Sequence, residues 1–386
     1  MSTGLPVTAR ITFGLFATSG GLGILAFAVS PLLVTVAVQD LRYTPLAAAK
    51  LATAGLVGTA IIALVLSSLA YRVQPRRIAL FGAVLAASAA FAASEVGELL
   101  RLLAWFAMGA GGGLALTAAG PIISQSKNPS RQAALVAVLT SFFLFVFLVS
   151  CSLAAKRWGF QGLCGSVAIS ALAMIPLAAL LPASCVEATS LAQQKASMEI
   201  LPAALLVLAA LFYSMRDSML WSMSDALASS IGISSAAMGV ALGLSGFAGI
   251  IGAGIAVWAT GSGLSRNAAI FGLASTALLS LASSQVTNPA IFLPIFVTYT
   301  ASHLFMSPLI LGTAAAIDTS GRLVVLVSGI NLVGTALGPI LGGAAMDAGA
   351  RSALGVAIIA MAFLSALFFF AALRTWTPQV AAELNS

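Results

Sequence analysis

Residues 76–94 read RRIALFGAVLAASAAFAAS and residues 266–284 read RNAAIFGLASTALLSLASS, so a shift of 190 residues makes seven of nineteen positions identical. Arg76 falls on Arg266, Phe81 on Phe271 and Gly82 on Gly272. A shift of 191 then pairs Arg131 with Arg322, Leu135 with Leu326 and Val136 with Val327. Alanine matches carry little information in a chain so rich in alanine, but a shared Arg with a shared Phe-Gly carries more. The sequence thus reads as two copies of one unit.

Both copies lie among long apolar runs. Of 386 residues, 60% are hydrophobic and 7% charged, with a mean hydropathy of +1.09. A soluble domain carries roughly 25% charged residues, so this composition excludes a soluble globule and indicates a polytopic membrane protein. A spanning helix needs about 20 apolar residues, and such windows fall at 11–38, 46–70, 77–94, 99–124, 132–154 and 161–182. A second series falls at 200–225, 235–260, 267–285, 290–316, 323–346 and 352–373. The expected fold is therefore all-α, with twelve transmembrane helices in two pseudo-symmetric six-helix bundles. Residues 1–182 form the N-terminal bundle, 183–199 (ASCVEATSLAQQKASME) a cytoplasmic linker, and 200–386 the C-terminal bundle with a short cytoplasmic tail. Six is even, so both copies enter the membrane in the same sense and form a parallel repeat about the membrane normal.

Cytoplasmic loops retain Lys and Arg. With the N-terminus inside, that side holds ten basic residues: Arg10, Arg72, Arg76, Arg77, Lys127, Arg131, Lys195, Arg266, Arg322 and Arg374. The other side holds four, Arg42, Lys156, Arg157 and Arg351. Both termini are expected in the cytoplasm, and the location to be a plasma membrane, the inner membrane in a bacterium. The net charge of +7 is scattered singly or in pairs, which leaves no continuous basic face for nucleic acid. Cys151, Cys164 and Cys185 have neither CxxC spacing nor an even count and read as small apolar filler. Ala26-Phe27-Ala28 looks like a signal-peptidase site, but the apolar run around it is too long for a signal segment.

Six plus six helices, a parallel repeat, internal termini and a central polar linker resemble the major facilitator superfamily over essentially the whole chain. The local motifs match in part. The family's loop between spans 2 and 3 reads Gly-x-x-x-Asp-Arg-x-Gly-Arg-Arg, and here SSLAYRVQPR at 67–76, with Arg77 following, keeps Arg72 and Arg76 but has Ser67, Tyr71 and Gln74 for the Gly, Asp and Gly. The missing Asp weakens the cytoplasmic latch that the resemblance implies. Span 4 has Trp105 where the family often carries an Arg four residues before Gly-x-Gly, here within GAGGG at 109–113; Arg101, one turn earlier, either substitutes for it or snorkels to water. GTALGPILGG at 334–343 matches an antiporter pattern, but in the pseudo-symmetric partner of the span where antiporters place it. Its physical content is close helix packing and a bend at Pro339; it inclines the reading slightly toward efflux.

A charge at the centre of a spanning helix costs about 2.5–3.5 kcal/mol on insertion scales, which makes intramembrane ionisable residues functional candidates. The seventh span contains LFYSMRDSMLWSMSD, residues 211–225. Tyr213, Asp217 and Trp221 recur every fourth residue and line one face, drifting about 40° per step. The tenth span repeats this spacing with Tyr299 and His303, the chain's one histidine. The resemblance implies that spans 1, 4, 7 and 10 line a central cavity. Asp217 is then the leading proton-coupling group, with His303 the second. Arg216 is a candidate for attracting an anionic substrate, about 100° round the helix from Asp217. Trp105 and Asn331 complete the substrate-binding candidates with Tyr213, Arg216, Asp217, Trp221, Tyr299 and His303. Thr18 and Ser19 either hydrogen-bond a substrate or brace helices. Lys50 and Asp225 lie near the outer ends of spans 2 and 7, which the resemblance implies approach each other when the outside gate closes; they are either a gating ion pair or separate solvated side chains. Arg72, Arg76 and Asp318 are the cytoplasmic gating candidates, Asp318 making a surface or gate contact with Arg322.

The leading function is a secondary active transporter that moves a small organic solute by alternating access, coupled to protons, as a monomer in the lipid bilayer and without a cofactor. The alternatives are a proton-coupled uptake symporter for a small metabolite, anionic or neutral, an uncoupled facilitator or sensor, and an intramembrane enzyme. Against the enzyme, one histidine cannot supply HExxH, and Gly243-Leu244-Ser245-Gly246-Phe247 breaks GxSxG. Against a nucleotide-driven pump, there is no Walker sequence, and no metal cluster is expected.

Overall fold

The computed structural model describes residues 7–67, 74–124, 129–183, 199–260, 266–318 and 322–376. Among these residues the regular structure is all helical. Helices α1 (Val7–Leu15) and α2 (Leu25–Asp40) are joined by a π turn at Phe16–Gly21 and a 3-10 turn at Leu22–Ile24. Then follow α3 (Pro45–Ser67), α4 (Pro75–Glu95), α5 (Glu98–Ser124), α6 (Pro129–Ala173) and α7 (Ile175–Ala178). The second series is α8 (Ile200–Ser229), α9 (Ser235–Thr260), α10 (Arg266–Gln285), α11 (Pro289–Ile317) and α12 (Arg322–Thr375). Proline opens α3, α4, α6 and α11, a position where its missing N–H has no helical partner to lose.

Eleven stretches among the described residues are long and apolar enough to cross a membrane. One of them, Leu135–Ala178, has 44 residues, about 66 Å at 1.5 Å per residue, against a hydrocarbon core of about 30 Å. Gly159 divides it, at φ 58° and ψ −141°, a backbone conformation open to glycine and strained for side-chain-bearing residues. Asp40 fixes the break by accepting the Phe160 N–H at 2.8 Å. Two crossings therefore pass through α6 and α7, and the total among the described residues is twelve. α12 likewise carries two crossings, Leu323–Gly349 and Arg351–Thr375.

The chain separates into two compact units. The first comprises residues 1–190 with 235–243, the second 191–234 with 244–386, so the opening turns of α9 cluster with the first unit. The linker expected at 183–199 lies outside the described residues except for its two ends.

In the first unit α5 packs on α3 and α4. A Cβ on Gly58 would meet Ala110 N at 2.9 Å, and one on Gly113 would meet the Thr59 carbonyl at 2.6 Å, so the α3 and α5 backbones touch directly. Thr59 Oγ1 stitches the same seam, donating to the Gly109 carbonyl at 3.0 Å. Small residues permit this approach, which is how helices associate where lipid removes the hydrophobic drive. The GAGGG run is thus packing. Thr18 Oγ1 donates to the Gly14 carbonyl at 3.0 Å and Ser19 Oγ to the Leu15 carbonyl at 2.8 Å, so both hydroxyls are used within their own helix.

In the second unit α8 packs most extensively on α12. Gly334, Gly338 and Gly342, four apart, lie on Leu211, Met215, Ser218 and Met219 of α8. Ser218 Oγ donates to the Thr335 carbonyl at 2.6 Å, and Ser365 Oγ to the Ala209 carbonyl at 3.0 Å. GTALGPILGG is therefore the α12 side of a helix seam. Leu206, Ala209, Ala210, Met306, Leu323, Val327 and Phe369 fill the core between α8, α11 and α12.

Two arginines fasten helix ends. Arg101 donates to the Ala93 carbonyl at 3.1 Å, the Val96 carbonyl at 2.7 Å and the Tyr43 hydroxyl at 3.0 Å, and it stacks over Phe160. It neither replaces the family's inward arginine nor snorkels; it holds the α4–α5 turn. Arg351 does the same in the second unit, donating to the Val286 carbonyl at 2.9 Å, to Ser230 Oγ at 2.7 Å and to the Leu227 carbonyl.

Candidate functional site

The seventh span is α8 and the tenth is α11. Their four-residue spacings bring Tyr213, Asp217, Tyr299 and His303 into one buried cluster within the second unit. The Tyr299 hydroxyl donates to Asp217 Oδ1. His303 Nδ1 lies 3.0 Å from the same oxygen, at ion-pair distance but without hydrogen-bond alignment. The Tyr213 hydroxyl donates to the His303 carbonyl at 2.7 Å, and the two rings stack at 4.9 Å between centroids. Asp217 is only 9% exposed, so its carboxylate depends on these neighbours rather than on water.

Arg216, 1% exposed, lies over the Tyr213 ring, with its guanidinium carbon 4.6 Å from the centroid. Both Arg216 and Asp217 are therefore buried, about 100° apart round α8. Trp221 stacks on Phe296 at 6.0 Å, and Phe296 in turn on Phe292 at 6.1 Å. Phe292 and Phe296 are site residues that the sequence reading did not single out. Their signal is present all the same: Phe292, Phe296, Tyr299 and His303 are spaced four, three and four apart, a stripe along one face of α11.

The other candidates lie elsewhere. Asn331 Oδ1 accepts from Ser214 Oγ at 2.6 Å, so it braces α12 against α8. Trp105 is fully buried in the first unit, its indole N–H without a hydrogen-bond partner among the described residues. Lys50 is exposed on α3 in the first unit, whereas Asp225 is fully buried on α8. Arg76 is exposed at the start of α4, and Arg72 lies outside the described residues. Asp318 corrects the expectation of a surface contact: it is 2% exposed, and its Oδ2 accepts the Leu323 N–H at 2.9 Å, capping the first turn of α12. Among the described residues no group of His, Cys, Asp and Glu could hold a metal ion.

Comparison of the whole fold is decisive. A nucleoside transporter superimposes with a TM-score of 0.74 at 11% identity, over 96% of this chain and 100% of that one. A D-xylose-proton symporter gives 0.69 at 16% identity, covering 97% and 98%. A bacterial homologue of the human lysosomal transporter Spinster, inward-facing and unoccupied, gives 0.69 at 13% identity, covering 96% and 98%. The chain has the major facilitator fold. No protein-family model matches the sequence, and no curated protein matches it. The major facilitator fold accounts for the repeat seen between residues 76–94 and 266–284. Gly82 packs on Gly111 and Leu114 of α5, and Gly272 packs on Phe305 and Met306 of α11, so the paired glycines face the next helix in each unit. The paired Phe81 and Phe271 are both exposed, as lipid-facing side chains of a major facilitator bundle are.

Proposed function

We propose that this protein is a secondary active transporter, moving a small organic solute across the membrane by alternating access with proton coupling through Asp217. The observation that carries the reading is the buried Asp217 carboxylate held by Tyr299 and His303. A carboxylate inside a membrane bundle is costly even when partnered, and proton relays are built from Asp, Glu and His at such positions. Taking up a proton abolishes the charge that holds Tyr299 and His303 to one oxygen. A change of protonation is thereby converted into a change of contact between α8 and α11. The similar structures support transport, and one of them is described as a proton symporter. His303 serves as the second proton-exchanging group. The efflux pattern at 334–343 is accounted for by the α8–α12 seam and carries no direction of transport. The basic-residue asymmetry supports cytoplasmic termini.

The test is transport in proteoliposomes with and without an imposed pH gradient, using labelled sugars, nucleosides, dipeptides and monocarboxylates. Wild type is expected to accumulate one class against its gradient. Asp217→Asn is expected to lose accumulation while keeping exchange. Unchanged accumulation in Asp217→Asn would remove Asp217 from the coupling role, and a wild type indifferent to the gradient would make the protein a facilitator.

A further inference from the structure

Arg216 carries a buried charge that proton coupling leaves unused. Among the described residues its Nε and Nη2 have no hydrogen-bond partner. These two nitrogens share one edge of the planar guanidinium, and their N–H bonds run parallel, the arrangement that receives both oxygens of a carboxylate at once. The buried carboxylates among the described residues of the second unit are placed elsewhere. Asp217 accepts from Tyr299 and faces His303, and it makes no ion pair with Arg216. Asp225 follows nine residues later, about 13 Å along the axis and half a turn round the helix. Asp318 caps α12. A guanidinium edge taken out of water and left without an acceptor is unfavourable in the empty protein and becomes favourable only when an anion arrives.

We propose that Arg216 anchors the solute through a carboxylate, and that the transported class is a monocarboxylate with an apolar or aromatic body. The inference rests on the transport reading and narrows it. A single charge is favoured because Arg216 is the one buried Arg or Lys among the described residues and the adjacent Asp217 repels a second negative group. A planar anion is favoured over a tetrahedral one because the two open donors lie on one edge. An apolar body is favoured because Trp221, Phe296 and Phe292 stack along the same α8–α11 interface.

Thermal unfolding of the purified full-length protein tests this with matched pairs: acetate and acetamide, lactate and lactamide, benzoate and benzamide, phenylacetate and phenylacetamide, with inorganic phosphate alongside. At least one carboxylate is expected to raise the Tm of wild type where its amide does not. Arg216→Gln is expected to lose that shift. Arg216→Lys, a point charge without the paired edge, is expected to bind roughly tenfold or more weakly. Without ligand, Arg216→Gln is expected to melt close to wild type, because the two open buried donors are lost together with the contact to the Tyr213 ring. If it fails to fold, Arg216→Lys carries the comparison. Equal response to acid and amide in wild type, or an undiminished acid response in the Arg216 variants, would overturn the assignment. So would a preference for phosphate over every carboxylate. The two readings fail separately: Asp217-dependent accumulation of a neutral solute would sink this inference and leave coupled transport standing. Arg216-dependent carboxylate binding without gradient-driven accumulation would do the reverse.

Discussion

Tyr299→Phe removes one hydroxyl from the α8–α11 cluster and leaves the ring in place. The lost bond has a charged acceptor, the Asp217 carboxylate, and hydrogen bonds to charged groups contribute about 1.5–3 kcal/mol. Tyr213→Phe is the internal standard. It loses a bond to a neutral acceptor, the His303 carbonyl at 2.7 Å, which contributes about 0.5–1.5 kcal/mol, and it keeps the ring that Arg216 lies over. Tyr299→Phe should therefore be the more destabilising by about 1–1.5 kcal/mol, roughly tenfold in the unfolding equilibrium. The cost should also depend on charge. In an Asp217→Asn background the acceptor is neutral, so Tyr299→Phe should fall to about 0.5–1.5 kcal/mol while Tyr213→Phe stays the same. Equilibrium unfolding in mixed micelles at increasing SDS gives all six variants, wild type and Asp217→Asn included, without any knowledge of the substrate. Equal costs for the two tyrosines, or the same Tyr299→Phe cost in both backgrounds, would refute the claim that Asp217 is held as a carboxylate by Tyr299.

Two further predictions concern backbone contacts. A Cβ on Gly338 would stand 2.6 Å from Ser218 Cβ and 2.7 Å from Met219 N, so Gly338→Ala should cost about 1–3 kcal/mol by overpacking. Gly254→Ala, where a Cβ meets nothing within 4 Å in mid-helix, should gain about 0.5–1 kcal/mol; thermal melts showing the two alike would dismiss the seam. Gly159→Ala combines a left-handed backbone at φ 58° with a Cβ driven into the Asp40 carboxylate, and should cost at least about 1–2 kcal/mol. Rescue of its melting temperature by Asp40→Gly would show that the side-chain clash, rather than the backbone, is the larger part.

Length, apolar runs and the repeat were enough to read the fold, because span number and sense follow from one-dimensional rules. Even the turn inside α6 left its trace, since the gap between the fifth and sixth expected spans contains Gly159. The site was legible where it obeys helix periodicity: Tyr213, Asp217 and Trp221 on one helix, Tyr299 and His303 on another. Phe292 and Phe296 escaped because an aromatic residue on a spanning helix looks the same whether it faces lipid or a carboxylate cluster. Asn331 and Asp318 were placed by their polarity, but their partners, Ser214 Oγ and the Leu323 N–H, belong to tertiary packing and helix capping. The π turn at Phe16–Gly21 was not readable either. It goes with the crowding of Gly20 and Gly21 against Thr140 and Met174, residues more than a hundred positions away.

Arg351 has a mechanical consequence. Its guanidinium holds the last residues of α8, the last residues of α10 and its own helix at a single point, so none of these ends can tilt without dragging the other two. That rim of the second unit is a stiff collar. Flexure has to be taken up away from it, and the one long helix of the site that the collar does not grip is α11, whose Pro294 and Pro308 each leave a rung out of the backbone ladder. Tyr299 and His303 sit between those two prolines, on the segment best able to yield when Asp217 changes its hold.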